Sequence, residues 1–578
     1  MNDTVSVSAP KGLAEVIPAK RLRGQPFGTA YVYPSDSKHG VSISLPTWES
    51  TIAYFEKTEA WKNKHIEWCY PRFFVNRPIR ELADLALQRL NIAKDTDISC
   101  LLFPTVAAAQ SCVRHIAKDH GSLTVDIAHF RKPDDIFTTE TGRVLDLASF
   151  AMAIFPKEAK GSAMMFWVNV GGGLTTRHAM FSKGYIYYLE AEHSNKKSNP
   201  QPPKSIDLPL STVSWMNSTA STSMCVKSRI AKLSTPENAT LPQVTADDVT
   251  LYPTGMNAIY HASEALASVA TTSTVVAFGW IYDETIYNLK NGSWGKFIGY
   301  KQGTEQNLED LTNRLKAGER IGALFCELPS NVFLSSPPLQ RLRDLADEYG
   351  FYIACDDTVA GFVNLDPMPY VDVMMTSLTK IFSGASDVTG GNLIVNPASR
   401  AHDLITAAIQ ARYEHACVFP LDIETLEHNS RHLVWRAKRC NKNTLPVVQM
   451  LKSHPLIKRV NHPSIDESLP IYKSLMRKNG GYGNVLSIIF HDERIAHHFY
   501  DNLDLPKGSS FGTNFTIAVP FALLVHYYNR DKVAAHGLPE HIIRISIGLE
   551  NVEEIKEAIW SALAKCTGQT SSFIASRL

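Results

Sequence analysis

The 578-residue sequence lacks the features of several large protein classes. No apolar run approaches the roughly 20 residues that a membrane helix needs. Lysines and arginines are scattered and balanced by acids, with a formal net charge of +1, whereas nucleic-acid surfaces need clustered basic residues. We therefore expect neither a membrane nor a nucleic-acid partner, and no metal site is predicted.

The nine cysteines form no CxxC pair, and some of them, such as Cys326 and Cys355, lie within apolar runs. This usage is typical of reduced thiols in an intracellular protein. The first residues, MNDTVSVSAPKGLAEV, also lack the charged-then-apolar pattern of a secretion signal. We expect a cytoplasmic protein, with the peroxisome as the alternative, because Ser576-Arg577-Leu578 is a variant of the Ser-Lys-Leu peroxisomal address.

What the sequence does contain is a series of short apolar runs that alternate with amphipathic helical stretches. This pattern is typical of a mainly parallel sheet with helices on both faces, an α/β fold. Strands are predicted at 274–279, 322–327, 351–355, 371–375 and 392–395. After about residue 400, helices mix with strands at 484–490 and 542–549, which predicts a smaller α+β domain.

Polar side chains follow these predicted strands, where the functional groups of parallel sheets gather. Tyr282 follows the first strand, Glu327 and Asn331 the second, Asp356 the third, and Lys380 the fourth. No acid neighbours Lys380 in TSLTKIFSGASDVTGG, and a desolvated lysine without a paired acid loses its proton and becomes a nucleophile.

A predicted helix start completes a set of groups that one cofactor requires. Gly255 begins a predicted helix, and free backbone N–H groups at a helix start suit a phosphate. Pyridoxal phosphate needs a phosphate cradle, a stacking ring, a carboxylate for its pyridine nitrogen and an amine for its aldehyde. Gly255, Tyr282, Asp356 and Lys380 supply these groups, so the sequence predicts pyridoxal phosphate as the cofactor.

These motifs resemble those of the Cys/Met-metabolism family of pyridoxal-phosphate enzymes, in particular its fungal cystathionine gamma-synthase-like branch. The family's Ser-x-Thr-Lys motif is matched at 377–380, and its Asp-Asn-Thr occurs as Asp356-Asp357-Thr358. Its phosphate loop appears as Thr254-Gly255-Met256, and its Tyr-x-Arg as Tyr70-Pro71-Arg72. The resemblance implies the aspartate aminotransferase-like fold, known as fold type I.

The resemblance also implies a role for individual residues. Lys380, as the Schiff-base lysine, and Tyr282 would be catalytic. The cofactor would be bound by Lys380, Tyr282, Asp356, Thr358, Gly255, Met256, Ser377, Thr379, Asn331, Tyr70 and Arg72. The substrate would be bound by Arg544, Ser510, Ser509 and Asn331. Because the family's Tyr-x-Arg crosses to the neighbouring subunit, a homodimer or homotetramer with shared active sites is expected.

The implied reaction on small amino-acid substrates is γ-replacement on an O-acyl-L-homoserine. The second substrate is either cysteine or a carbon nucleophile such as acetoacetate. Ser509 occupies the position of a glutamate that helps receive cysteine in bacterial and plant synthases, so the nucleophile stays open. A lyase that releases an α-keto acid and ammonia, and a non-catalytic relative, are the alternatives.

The spacing of the motifs predicts the domains. Arg72 and Gly255 are separated by a long extra segment, interpreted as an inserted α/β module at 95–219. Its Gly171-Gly172-Gly173 favours a turn, because no P-loop lysine follows. The remaining predictions are an N-terminal arm (1–40), a cofactor-binding domain (41–94 and 220–399) and a C-terminal α+β domain (400–578).

Overall fold

A computed structural model describes residues 16–575, except 19, 34–38, 67, 94–96, 135–139, 194–195, 199–209 and 415–416. The predicted peroxisomal tripeptide and the first fifteen residues of the predicted arm lie outside the described residues. None of the helices in the described segments is long and apolar enough to cross a membrane.

Three helices precede the inserted segment: α1 (Trp48–Glu56), α2 (Glu59–His65) and α3 (Arg77–Arg89). The segment then forms a five-stranded sheet with the order β1-β3-β2-β4-β5, in which every pairing is antiparallel. Its elements are β1 (Ile98–Phe103), α4 (Val106–Asp119), β2 (Asp126–Arg131), α5 (Glu140–Ala148), β3 (Phe150–Pro156), α6 (Lys160–Val170), α7 (Thr176–Tyr185), β4 (Glu190–His193) and β5 (Lys196–Ser198). We call this unit the inserted module.

The long helix α8 (Leu210–Ser234) leads from the module into the central domain. The predicted boundary at residue 220 falls inside this helix. Composition did not reveal this continuity, because the Pro-rich stretch that suggested a linker ends just before the helix begins.

The central domain is a seven-stranded sheet with the order β6-β12-β11-β10-β9-β7-β8. The pairings from β11 to β8 are parallel, and β12 is antiparallel to both of its neighbours. Its elements are β6 (Val249–Tyr252), α9 (Gly255–Val269), β7 (Thr274–Phe278), α10 (Asp283–Asn291), β8 (Lys296–Tyr300), α11 (Glu305–Lys316), β9 (Ala323–Glu327), α12 (Leu339–Tyr349), β10 (Tyr352–Asp356), β11 (Val373–Ser377) and β12 (Gly391–Val395). The predicted mainly parallel sheet is confirmed.

Both faces of this sheet are buried, as its apolar strands require. On the interior strand β9, Leu324 and Cys326 pack into one hydrophobic core, whereas Ala323 and Phe325 pack into another. Because side chains alternate along a strand, a strand covered on both sides is apolar at every position. The arrangement leaves the carboxyl edge of the sheet as the place for polar groups.

The C-terminal domain packs helices around a four-stranded antiparallel sheet with the order β13-β14-β16-β15. Its elements are α13 (His402–Gln410), α14 (Pro420–Ser430), α15 (Leu433–Lys452), β13 (Ile457–Asn461), α16 (Leu469–Leu475), β14 (Val485–Phe490), α17 (Glu493–Asn502), β15 (Ile517–Pro520), α18 (Phe521–Val525), α19 (Arg530–Ala534), β16 (Ile543–Ser546) and α20 (Val552–Ala575). The two strands predicted from the sequence here are β14 and β16.

Candidate active site

A cavity of about 310 Å³ lies at the carboxyl edge of the central sheet. It is bounded by the ends of the parallel strands, the start of α9, the segment before α3, and residues from β16 and the loop before β15. Most of the residues predicted for the site line it: Tyr70, Arg72, Gly255, Met256, Tyr282, Asn331, Asp356, Thr358, Ser377, Lys380, Ser509 and Arg544.

Two predicted residues are not among those that line the cavity. The Thr379 hydroxyl accepts a hydrogen bond of 3.2 Å from the backbone N–H of Gly390. This bond fixes the loop after Lys380, so the structure does not bring the Thr379 side chain to the predicted cofactor site. Ser510 is buried, and its Oγ lies 3.4 Å from Lys380 Nζ, so it contacts the site through this lysine.

Lys380 follows the end of β11 and projects into the cavity. Burial, followed by the positive charges of Arg544 and Arg72, lowers the pKa of Lys380 to about 7. Within the described residues, no carboxylate forms an ion pair with its Nζ, whose neighbours include the rings of Tyr70 and Phe511 at 4.8 and 4.9 Å. Lys380 therefore loses its proton far more readily than an exposed lysine.

Arg544 is the second buried cation of the cavity. Its Nη1 donates to Asn331 Oδ1 at 3.1 Å and its Nη2 to the Ser510 carbonyl at 3.2 Å. Burial lowers the pKa of Arg544 to about 10, which leaves it charged at neutral pH. Held at both nitrogens, this guanidinium has a fixed direction and suits a carboxylate ligand.

Arg72 and Tyr282 meet on the other side of the cavity. Arg72 Nη2 donates to the Tyr282 hydroxyl at 2.7 Å, and Nη1 donates to the Val168 carbonyl in α6. Burial, the largest cause, holds the pKa of Tyr282 well above its ordinary value, so the phenol keeps its proton.

The segment before α3 carries two of the predicted site residues. Tyr70 and Arg72 line the cavity and are 6% and 5% exposed. Trp167 of α6 donates a 3.0 Å hydrogen bond to the Pro71 carbonyl between them, so the inserted module holds this segment. The sharing of active sites between subunits stays a prediction.

The strand-end carboxylates organise the loops around the cavity. Asp356 accepts a 2.8 Å hydrogen bond from the Thr358 N–H. Glu327 accepts from the Tyr282 N–H through Oε1 at 2.6 Å and from the Asn331 N–H through Oε2 at 3.1 Å. Burial raises the pKa of both carboxyls, and Asp356 adds to the rise at Glu327.

The start of α9 has the form expected of an anion cradle. The first N–H groups of a helix have no intrahelical partners, and a Cβ at Gly255 would lie only 2.7 Å from Ser377 Cβ. The Ser377 Oγ is buried without a hydrogen-bond partner in the described structure. The donor set fits pyridoxal phosphate, with anion donors here and Lys380 and Asp356 for its aldehyde and ring nitrogen.

Glu284 is a cavity residue that the sequence analysis did not identify. Its Oε1 lies 3.6 Å from Arg72 Nη1, and burial raises its pKa. An acid in the first turn of a helix is usually explained by the helix dipole, so its position two residues after Tyr282 was the only signal. Asp357, the departure from the family motif, does not line the cavity, and its Oδ2 accepts from the Phe362 N–H at 2.8 Å.

Comparison with known proteins adds an independent finding. The family described as Cys/Met metabolism PLP-dependent enzyme matches residues 217–564, and the fungal trans-sulfuration enzyme N-terminal domain matches residues 78–175. The cystathionine gamma-synthase-like protein ankD of Aspergillus thermomutatus is 36% identical over 93% of this chain and 94% of its own length. The cystathionine gamma-synthase of Neurospora crassa is 31% identical over 93% and 98%. Among solved structures, the cystathionine gamma synthase of Xanthomonas oryzae pv. oryzae shares the fold, with 20% identity, a TM-score of 0.52 and coverage of 60% of this chain and 86% of its own.

Proposed function

Since the chain belongs to the Cys/Met-metabolism family of PLP-dependent enzymes, with pyridoxal phosphate as its cofactor, we propose that it catalyses γ-replacement on an O-acyl-L-homoserine. The second substrate is cysteine or a carbon nucleophile such as acetoacetate. The observation that carries the proposal is the state of Lys380: a buried amine between two arginines, with its pKa lowered to about 7.

The proposal assigns the residues that hold the cofactor. The start of α9 with Ser377 and Arg72 would receive the phosphate, Asp356 the ring nitrogen, and Tyr282 a face of the ring. When bound, the cofactor supplies an aldehyde that bonds an amine and a ring that accepts electrons from the substrate.

Lys380 would transfer protons from and to the carbon atoms of the substrate. An amine with a pKa near 7 is present in both protonation states at neutral pH, so its Nζ can accept a proton from substrate carbon and return it later. Ser510 Oγ, 3.4 Å away, gives Nζ a hydrogen-bond partner without the charge that would hold it protonated. Tyr282, which keeps its own proton, would act as a donor.

Arg544 would fix the substrate by its carboxylate. Its two terminal nitrogens are already held by Asn331 and Ser510, so little conformational freedom remains to be lost on binding. A carboxylate bound here would orient the α-carbon relative to Lys380.

The wall of the cavity bears on the second substrate. It is rich in aromatic rings, and Ser509 adds a buried Oγ without a hydrogen-bond partner in the described structure. The Ser509 hydroxyl would pair the ammonium group of cysteine more weakly than the glutamate that bacterial and plant synthases carry at this position. A carbon nucleophile such as acetoacetate has no ammonium group to pair. This supports the carbon nucleophile as a candidate beside cysteine.

The test is a competition between the two nucleophiles. Cofactor-loaded protein is incubated with O-acetyl-homoserine and equal cysteine and acetoacetate, and the products are identified by mass. Cystathionine, or a C–C adduct or its cyclised imine, would support γ-replacement and identify the nucleophile. Ammonia and an α-keto acid without an adduct would show a lyase, and the Lys380→Ala variant controls for uncatalysed products.

A further inference from the structure

A carboxyl group that the proposed function does not use follows Asp356 directly in the chain. Asp357 comes immediately after strand β10 and is fully buried. The family motif has an asparagine at this position, and an amide carries no charge at any pH. The acid therefore adds an ionisable group to the strand end that would face the ring nitrogen of the cofactor.

The hydrogen bonds of Asp357 leave one of its two side-chain oxygens without a partner. Oδ2 accepts the Phe362 N–H at 2.8 Å, whereas Oδ1 is buried and has no hydrogen-bond partner in the described structure. The backbone here is fixed, because the Asp357 N–H donates to the Met375 carbonyl at 2.9 Å and the Gly361 N–H donates to the Asp357 carbonyl at 2.8 Å. An ionised carboxylate would bury charge on an oxygen to which nothing donates, which costs far more than burying a neutral acid.

The charged groups around Asp357 do not supply the missing partner. Arg477 acts on it from a position where its Nη2 is 3.3 Å from Asp366 Oδ1, so this guanidinium is paired with another acid. The negative charges of Asp356 and Asp366 oppose ionisation of Asp357. The other titratable groups that interact electrostatically with Asp357 are Cys355 and Tyr472.

The two neighbouring acids therefore lie in different environments. Asp356 lines the cavity and accepts the Thr358 N–H at 2.8 Å, and a protonated ring nitrogen would add a second donor. Asp357 does not line the cavity, and burial, as the largest cause, raises its pKa to about 8. Where neighbouring acids differ in this way, one of them holds the proton and the other holds the charge.

We propose that Asp357 is a neutral acid at neutral pH and that its proton sets the charge beside the ring nitrogen of the cofactor. Protonated Asp357 adds no charge next to Asp356. Ionised Asp357 adds a second negative charge there, which favours a proton on the ring nitrogen. Asp357 thus acts through Asp356, as a positioning residue, and the inference rests on the proposed role of Asp356.

Asp357→Asn isolates this proton, because the amide keeps an oxygen for the Phe362 N–H and never ionises. Asp372→Asn is the matched control, since Asp372 is also buried and directly precedes the neighbouring strand β11. The oxygens of Asp372 accept from Arg343 Nη1 (2.9 Å), the Ile353 N–H (2.8 Å) and Ser399 Oγ (2.6 Å). The two substitutions are chemically the same, but only Asp372 has partners on both oxygens.

Infrared spectroscopy of the apoprotein detects the proton directly, because a protonated carboxyl group and a carboxylate have different C=O stretches. At slightly acidic pH, Asp357→Asn should lack the intensity of one protonated carboxyl group relative to wild type, whereas Asp372→Asn should retain it. In wild type that intensity should disappear with a midpoint near pH 8. Equal intensity in wild type and Asp357→Asn would overturn the proposal.

The stability of the apoprotein depends on the same proton with a definite sign. In the unfolded chain an aspartic acid loses its proton near pH 4, and folded Asp357 keeps it up to about pH 8. Within that window folding takes up a proton in wild type but not in Asp357→Asn. Wild type should therefore lose stability relative to Asp357→Asn as the pH rises, by about ten-fold in the folding equilibrium constant per pH unit. Chemical denaturation across a pH series measures this loss, and a difference that is constant with pH would overturn the proposal.

The cofactor-loaded protein tests the link to Asp356. The absorbance of bound pyridoxal phosphate is titrated with pH in wild type and in Asp357→Asn. Wild type should show a step near pH 8 that Asp357→Asn lacks, because only wild type gains a negative charge beside Asp356. Identical titrations would overturn the inference and leave the proposed function intact. Failure of wild type to load the cofactor would overturn the proposed function and with it the effect on the ring nitrogen, whereas the infrared and denaturation results do not depend on the cofactor.

Discussion

The Arg72 guanidinium donates a 2.7 Å hydrogen bond to the Tyr282 hydroxyl, although the two residues are 210 positions apart. The same guanidinium also reaches the Val168 carbonyl of α6. A planar fork makes both bonds at once, whereas an ammonium group on a flexible stem does not hold the same geometry.

Arg72→Lys is therefore expected to weaken cofactor affinity although the charge is kept. Loss of one charge-assisted hydrogen bond corresponds to about a ten-fold or larger effect. Fluorescence titration with pyridoxal phosphate measures it. Arg77→Lys is the control, because Arg77 is exposed on α3, where its Nε lies 2.8 Å from Glu81 Oε1, and its cofactor affinity should match wild type. Unchanged affinity in Arg72→Lys would remove Arg72 from the proposed site.

Lys380→Ala is expected to abolish both covalent cofactor attachment and turnover. The reason is that, in the part of the chain that the structure describes, no other lysine lies in the loop that follows β11. Lys62→Ala is the control, because Lys62 also lines the cavity, with its Nζ 5.3 Å from the ring centroid of Tyr54. Mass spectrometry after borohydride reduction detects the attached cofactor; attachment that persists in Lys380→Ala would contradict the whole assignment.

The pKa of Lys380 gives a pH dependence with a definite sign. Below about pH 7 its amine is protonated and does not attack the cofactor aldehyde; above that value it is neutral and reactive. The rate of cofactor loading by the apoprotein should therefore rise with pH through about 7 and then level off.

Arg544→Met tests the cause of that shift. Removing the cation that most favours loss of the proton should raise the pKa of Lys380, so the midpoint of loading moves to higher pH. Stopped-flow absorbance across a pH series records both midpoints. A midpoint that does not move would show that the charge of Arg544 does not contribute to the lowered pKa of Lys380.

Glu327→Gln tests the carboxylate that joins two cavity loops. The amide oxygen of the glutamine can keep one of the two hydrogen bonds, from the N–H of Tyr282 or of Asn331. Its amide nitrogen does not accept the other, so one buried hydrogen bond is lost and two donors face each other. We expect a loss of about 1–3 kcal/mol in the free energy of unfolding, measured by chemical denaturation. In Glu237→Gln, where an exposed carboxylate accepts from the Lys478 N–H at 2.9 Å, the change should stay within about 0.5 kcal/mol.

The sequence predicted those features that depend on local pattern. The fully buried strands appear as continuous apolar runs, and the residues after them, from Tyr282 to Lys380, do meet at one edge. Strand β6 was missed although it is buried, because its four residues include Thr250 and form no apolar run of strand length. Strand β8 was missed because only Tyr300 at its end is buried, so it has no apolar run. A strand shows a continuous apolar run in the sequence only where both of its faces are buried, and most of β8 is at least partly exposed.

Contacts between remote segments were beyond the reach of the sequence. Nothing in YPRFF indicates that Trp167, almost a hundred residues later, holds this segment by a hydrogen bond to Pro71. Likewise, Glu284 reads as a favourable first-turn acid until the structure places it beside Arg72. Such partners are set by how domains pack, and no local periodicity records them.

The left-handed Gly171 has a consequence for how this enzyme can change over generations. Its carbonyl accepts a 2.9 Å hydrogen bond from Thr254 Oγ1, and a Cβ at this position would lie 3.2 Å from Arg72 Cδ, so the module and the central domain pack closely against each other here. A lineage that discarded the module in one deletion would at once strip Arg72 and Thr254 of their carbonyl partners. Ancestral or engineered intermediates between the long and short forms must therefore alter both sides of this contact together.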